Sequence, residues 1–292
     1  AVLRSLSYTS PIARFRDITS GIGFYEVVKD LEENFEERKE LLIENLKKIA
    51  GRIFRKENLM LSYTSAQEGL AVLEKAVPQF ADSLHTGEKE SHGQCIIHCK
   101  KRNEGFRTSS KVQYVARTGN FIDGGAEYTG ALQILKVILS YDYLWQNVRV
   151  KGGAYGCMSG FNRIGEGYLV SYRDPNLAKT YDIYANAADY VRSLALDDRE
   201  LTKYIIGAVG AIDLPMTASM KGNRSLAAFL GERSFEQIQK NRDELLATTV
   251  DDLRGLSKAV ASVIEAGHIC VVGSESKITE EKDRFEYVAQ LT

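Results

Sequence analysis

The sequence predicts an α+β fold: an antiparallel or mixed sheet with its helices packed on one side. Three observations carry that reading. Residues 111–118 alternate Val112, Tyr114 and Ala116 against Lys111, Gln113 and Arg117, the period of a half-buried strand. Residues 154–161 and 166–172 read as two further strands joined across Asn162-Arg163-Ile164-Gly165 into a hairpin. Helical periodicity is gathered elsewhere, without the strand–helix alternation of a doubly wound sheet.

The 292 residues are 44% hydrophobic and 26% charged, with a formal net charge of −1. That composition suits a soluble chain of one large or two ordinary domains. The balanced charge gives no field to attract nucleic acid or an anionic membrane, so neither is expected as a partner. Lys136 and Asp142 interrupt the longest apolar helical stretch, which leaves no membrane span. Cys95, Cys99, Cys157 and Cys270 fit reduced thiols better than a disulfide framework. A reducing compartment follows, cytoplasm or mitochondrial matrix. The chain opens at Ala1 and not at a methionine, so it reads as a processed chain or a piece of a larger one.

Along the chain, Leu31, Phe35, Leu42, Leu46, Ile49 and Ile53 recur at helical spacing, with a charged opposite face. Residues 58–63 read as a strand and 66–80 as a helix. The polar, glycine-containing segment 83–93 is the boundary between two units, 1–82 and 94–292. In the second unit, 94–99 reads as a short strand and 124–148 as a helix apolar nearly all round, hence enclosed on several sides. Asp174-Pro175 supplies an N-cap and first-turn proline for a helix over 176–196. Three or four helices fill 198–264, broken near Asp213-Leu214-Pro215 and Lys221-Gly222, and the strand 268–272 closes the unit.

A shift of 210 residues superimposes helix, helix and strand of the first unit on those of the second. Tyr25-Glu26 falls on Phe235-Glu236, and 58–63 on 268–273. Residues 1–82 therefore read as the tail of a unit whose whole version is 94–292.

The four histidines, His85, His92, His98 and His268, form no His-x-x-x-His or His-x-x-Glu-His pattern. His92, Cys95, His98 and Cys99 have ligand-like spacing, but on a strand Cys95 and Cys99 share one face and His98 the other. No metal site is assigned. Lys151-Gly152-Gly153-Ala154-Tyr155-Gly156 has the glycines of a phosphate loop, yet it leads into a strand and not into a helix N-terminus. Arg149 and Tyr155 bracket those glycines. The residues leave two readings open. Arg149 can cap its own helix while Tyr155 packs in the hairpin, or both can point into a cavity and polarise a carbonyl oxygen.

Arg149-Val150-Lys151-Gly152-Gly153-Ala154-Tyr155-Gly156, with the hairpin ending Ser171-Tyr172-Arg173-Asp174-Pro175-Asn176-Leu177, resembles the C-terminal half of the presequence-protease branch of the pitrilysin/insulinase-type zinc metallopeptidases. The resemblance implies a pitrilysin-type domain repeat in which 1–82 ends a third domain, 83–93 is a linker and 94–292 is the fourth. It implies a metalloendopeptidase that degrades oligopeptides in an enclosed chamber. Its zinc, its inverted zinc motif and its glutamate base belong to the absent N-terminal half of the same polypeptide, with no cofactor in this chain. Arg149 and Tyr155 then bind and polarise the substrate peptide alongside Gly152, Gly153 and Ala154, and the chain alone is inactive. The alternative is a non-catalytic peptide-binding or scaffold domain of the same fold.

Overall fold

Strand alternation becomes a single mixed sheet in the computed structural model, which describes residues 1–86 and 96–291. Its strands are β1 (Glu104–Thr108), β2 (Gln113–Asn120), β3 (Gly156–Phe161), β4 (Glu166–Asp174), β5 (His268–Ser274) and β6 (Tyr287–Gln290), in the spatial order β3-β4-β2-β5-β1-β6. β3, β4, β2 and β5 pair antiparallel, while β1 runs parallel to both β5 and β6. The chain is thus α+β, with the expected hairpin at β3–β4.

One face of the sheet carries the large core. Val115, Leu169 and Val271 point into it and meet Leu132, Ile138, Tyr184 and Val263 from the helices. Burying these apolar side chains is worth roughly 1.5–3 kcal/mol each. The centre of the opposite face is covered by a short helix, Val2–Leu6, where Tyr8, Phe106 and Cys270 make a second, smaller core. Ser5 Oγ lies 2.7 Å from Thr118 Oγ1 on β2.

Several expectations need correction. Residues 59–64 have no regular structure, after a single 3₁₀ turn at Lys56–Asn58. An apolar run becomes a strand only where a neighbour takes its backbone hydrogen bonds, and among the described residues 58–63 has none. Residues 96–99 are likewise irregular, and 94–95 lie outside the described residues. The long helix begins at Ala131, because Gly124 and Gly125 form a turn in which Gly125 takes φ +81°. Asp174 does not cap the next helix. That helix is Ala178–Ala185 with Leu177 at its N-cap, followed by Ala187–Arg192. Lys221-Gly222 sits inside Ala218–Leu230, and five helices, not three or four, occupy 198–265. The short strand β1 was not anticipated.

Two compact units divide the chain. One holds the sheet and comprises Ala1–Phe24, Ile97–Asp213 and Ile238–Thr292; the other comprises Tyr25–Ile96 and Leu214–Gln237. Residues 1–24 join the sheet unit because Arg4, Ser5 and Tyr8 bond to its strands. In the other unit the helix Phe35–Ile53 buries no residue at all. Its apolar stripe forms from Phe35 onward, while Leu31 falls in a separate helix, Ile22–Glu33, and Leu46, Ile49 and Ile53 are each more than half exposed.

His268, at the start of β5, is buried, and its Nδ1 has no partner among the described residues. Burial, helped by the charge of Lys101, pushes its pKa down to about 4. Between pH 6.5 and 4 the unfolded chain binds the extra proton and the folded chain does not, so stability falls as pH falls through this window. The expected loss is about 3 kcal/mol. Urea melts at pH 7 and pH 4.5 should show it, and His268→Gln should flatten that part of the profile.

Candidate functional site

The candidate site lies where the helical run ends and β3 begins. Residues 139–143 and 145–150 wind as π-helix, one residue wider per turn than the α-helix Ala131–Ile138 before them. The wider winding sets Ser140 against the sheet edge. Its Oγ accepts the Ser159 backbone N–H at 3.0 Å, closing the middle of edge strand β3. Arg149 and Trp145, four residues apart, share a helix face, and the guanidinium carbon stacks 4.0 Å from the indole centroid.

The glycines make the exit turn. Gly153 takes φ +83° and donates its N–H to Arg149 O at 2.8 Å, while Ala154 N–H reaches Val148 O at 3.1 Å. At Gly152 a Cβ would stand 2.3 Å from Val148 O, so no side chain fits. The helix-end carbonyls are therefore satisfied by backbone N–H groups, and Arg149 hydrogen-bonds none of them. The helix-capping reading of Arg149 is not realised. Ala154 turns its methyl into the large core, leaving only its backbone at the turn.

Tyr155 is exposed, and its ring is held between two cations. The Arg149 and Arg173 guanidinium carbons stand 5.9 and 5.5 Å from its centroid. Tyr172 meets it edge-on, with ring centroids 5.5 Å apart. Among the described residues neither the Tyr155 hydroxyl nor the Arg149 guanidinium has a hydrogen-bond or carboxylate partner. Arg173 owes its place to an irregularity in β4, where the pairing with β2 shifts between Gln113 and Val115. There Arg173 takes φ +48° and its carbonyl accepts the Tyr155 N–H at 3.2 Å.

Behind the turn, Asp174 is fully buried and accepts from Ser171 Oγ (2.6 Å), Thr180 Oγ1 (2.7 Å) and the Asn176 N–H (2.9 Å). Asn176 Nδ2 in turn donates to Gly152 O at 2.6 Å. This relay fixes the glycine turn to the end of the hairpin. Asp174→Asn keeps the shape but removes the charge, and is expected to cost about 2 kcal/mol, the scale of a hydrogen bond to an ionised group. Thermal denaturation measures the loss.

The open face of the hairpin adds an aromatic floor. Gly156 pairs with Tyr172 and Gly160 with Tyr168, and a Cβ at either glycine would strike the opposite ring within 2.4 Å. Both tyrosines thus lie flat across β3, with Met158 and Val170 between them. Sequence reading passed over Trp145, Tyr172 and Arg173. The Gly-x-x-x-Gly of β3 opposite the Tyr-x-x-x-Tyr of β4 was the available signal.

The arrangement offers a fixed cation, a phenolic donor and a flat aromatic surface around a bare backbone turn. It can stack against a planar or apolar group and donate hydrogen bonds to an acceptor oxygen. It supplies no metal ligands. Among the described residues no three His, Cys, Asp or Glu side chains are grouped to hold a metal ion. Of the four ligand-like residues, His92 and Cys95 lie outside the described residues, and the Cys99 thiol is held up in pKa by burial. Cys99, Cys157 and Cys270 are free thiols, and no helix among the described residues is long and apolar enough to cross a membrane.

A mixed sheet entered through a helix, a glycine turn and a hairpin is the frame on which the site is built. Residues 103–277 match the PreP C-terminal domain, and the chain belongs to that family. It is 36% identical over 293 residues to Protein HypA of Clostridium perfringens, covering 100% of this chain and 30% of that protein. It is 32% identical over 259 residues to Presequence protease 1, chloroplastic/mitochondrial, of Arabidopsis thaliana, covering 88% of this chain and 24% of the relative. A crystal structure of pitrilysin aligns with a TM-score of 0.46 at 15% identity, over 89% of this chain and 33% of that one. The chain spans less than a third of the length of these curated relatives.

Proposed function

We propose that this chain is the C-terminal, zinc-free part of a zinc metallopeptidase that degrades oligopeptides in an enclosed chamber. The observation that carries the reading is the pair at the glycine turn: the half-buried guanidinium of Arg149 and the exposed phenol of Tyr155, 5.9 Å from cation to ring centroid, neither with a hydrogen-bond or carboxylate partner among the described residues. In this reading 1–82 ends a third metallopeptidase-like domain, 83–93 links it on, and 94–292 is the fourth. These proposed segments differ from the compact units, since Ala1–Phe24 falls with the sheet and Leu214–Gln237 falls with Tyr25–Ile96. The bare apolar stripe of Phe35–Ile53 supports the reading, since a third domain continuing upstream supplies the surface to cover it.

The metal and the glutamate base belong to the N-terminal half of the same polypeptide, and the described residues of this chain offer no donor set that fits zinc. The part played here is binding and orientation. Arg149 donates to the backbone of the bound peptide. Tyr155 O–H donates to the scissile carbonyl oxygen as charge gathers on it, the role of an oxyanion-hole donor. The aromatic floor of Tyr168 and Tyr172 receives the substrate's side chains, and the turn at Gly152-Gly153 lets its backbone come close.

The test compares this chain with the full-length polypeptide on an internally quenched oligopeptide. Turnover by the full-length protein and none by the chain alone is expected. Hydrolysis by the isolated chain at a comparable rate would overturn the proposal.

A further inference from the structure

Away from the glycine turn, a second concave site opens on the face of the sheet covered by the helix Val2–Leu6. Its volume is about 180 Å³, the share of roughly six water molecules, which suits a single small polar group better than a drug-sized ligand. The floor is a closed set of charges. Glu104 accepts from Arg4 Nε at 2.6 Å, from Arg4 Nη2 at 3.0 Å and from Tyr8 O–H at 3.0 Å. Its negative charge is consumed there.

The rim is cationic for a simple reason. Residues 97–103 run without regular structure into β1, and His98, Lys100 and Arg102, spaced by two, all line the cavity. Arg14 closes it from the helix Pro11–Ser20. Arg4, Arg14, Lys100 and Arg102 line the cavity with one carboxylate, Glu104, and Arg4 and Arg14 also pair with Asp17, so four positive charges less two negative leave the cluster at +2. The whole chain carries −1, so the cluster does not reflect general basicity.

Two of the rim cations are already held. Arg102 lies 3.8 Å above the Tyr287 ring centroid and 4.0 Å from Glu104, and Arg14 reaches Asp17 at 3.1 Å. Lys100 makes no ion pair among the described residues. Like charges gathered on low-dielectric walls repel one another, and an anion between them removes that cost. Guanidinium groups and an ammonium arriving from three segments suit a tetrahedral oxyanion better than a planar one.

We propose that this cavity binds a phosphate group, either as the free ion or carried on a larger molecule. The site is independent of the peptidase reading and stands or falls separately. The probe is inorganic phosphate titrated into the purified protein at constant ionic strength in potassium chloride, with binding read from backbone and His98 NMR shifts. A saturable change confined to the residues around the cavity is expected, weakened at least tenfold in Lys100→Gln and in Arg102→Gln. Lys100 is exposed, so its variant should melt as the parent does in chloride alone. A phosphoserine arm separates the sources. Equal or tighter binding supports a phosphate presented by a larger molecule, and binding of inorganic phosphate alone supports the free ion. No saturable shift, equal binding of acetate, or unchanged affinity in both variants would overturn the proposal.

Discussion

Arg149→Leu and Tyr155→Phe, each placed in the full-length protein, are expected to lower kcat/KM for oligopeptide hydrolysis by roughly 10²–10³, the scale of losing one oxyanion-hole donor. The geometry makes the two changes informative in different ways. Tyr155→Phe removes one hydroxyl and keeps the ring that packs edge-on against Tyr172 and lies between Arg149 and Arg173. The fold should be untouched, and the loss should fall on kcat, since a donor to developing charge acts in the transition state. Arg149→Leu removes a cation that no helix carbonyl needs, because Lys151, Gly153 and Ala154 already close the helix end through their N–H groups. Its loss should be shared between kcat and KM. Arg149→Lys retains charge without the planar fork and should lie between. Unchanged turnover in both Leu and Phe variants would remove the pair from the assignment.

What could be read in advance followed the reach of each interaction. The β3–β4 hairpin was legible because alternation and a four-residue polar turn are local. The glycine turn was legible for the same reason: two adjacent glycines after an apolar helix mark a chain reversal, and Gly152 and Gly153 each prove necessary to it. β1 was not legible. Glu104-Gly105-Phe106-Arg107-Thr108 is short and mixed, and it is a strand because β5 and β6 flank it from more than 160 residues away. Residues 58–63 fail for the converse reason, a strand-like sequence without a neighbour. Arg173 and Tyr172 joined the site only through the pairing of β4 with β2 and β3, a register that no single-strand pattern encodes. The family resemblance singles out Arg149 and Tyr155, a pair whose residues alone leave both a helix cap and a donor site open.

The placement of residues 1–24 on the sheet leads to the largest expected stability effect. Arg4 bridges two fully buried carboxylates, bonding Glu104 through Nε and Nη2 and Asp17 through Nη1 at 2.8 Å. Burial opposes its charge, and the hydrogen bonds with Glu104 and then Asp17 outweigh that, holding the guanidinium above its ordinary pKa. Arg4→Met preserves much of the side-chain volume and removes the close counter-ion of Glu104, leaving Asp17 only Arg14. Breaking a buried pair by removing one partner costs about 3–5 kcal/mol, because the charge left behind has neither water nor counter-ion. For a chain of this size that corresponds to a fall in Tm of roughly 5–8 °C. Arg14 still reaches Asp17 at 3.1 Å, so most of the loss should trace to Glu104. The pair Arg4→Met/Glu104→Gln should then be more stable than Arg4→Met alone, a coupling that a double-mutant cycle measures directly. A loss below 1 kcal/mol, or no coupling to Glu104, would mean that the helix Val2–Leu6 is held to the sheet by the small core of Tyr8, Phe106 and Cys270 and by the Ser5–Thr118 hydrogen bond. A full loss with strong coupling would make the ion cluster the fastening that carries the first residues of the chain across to the strands of its second half.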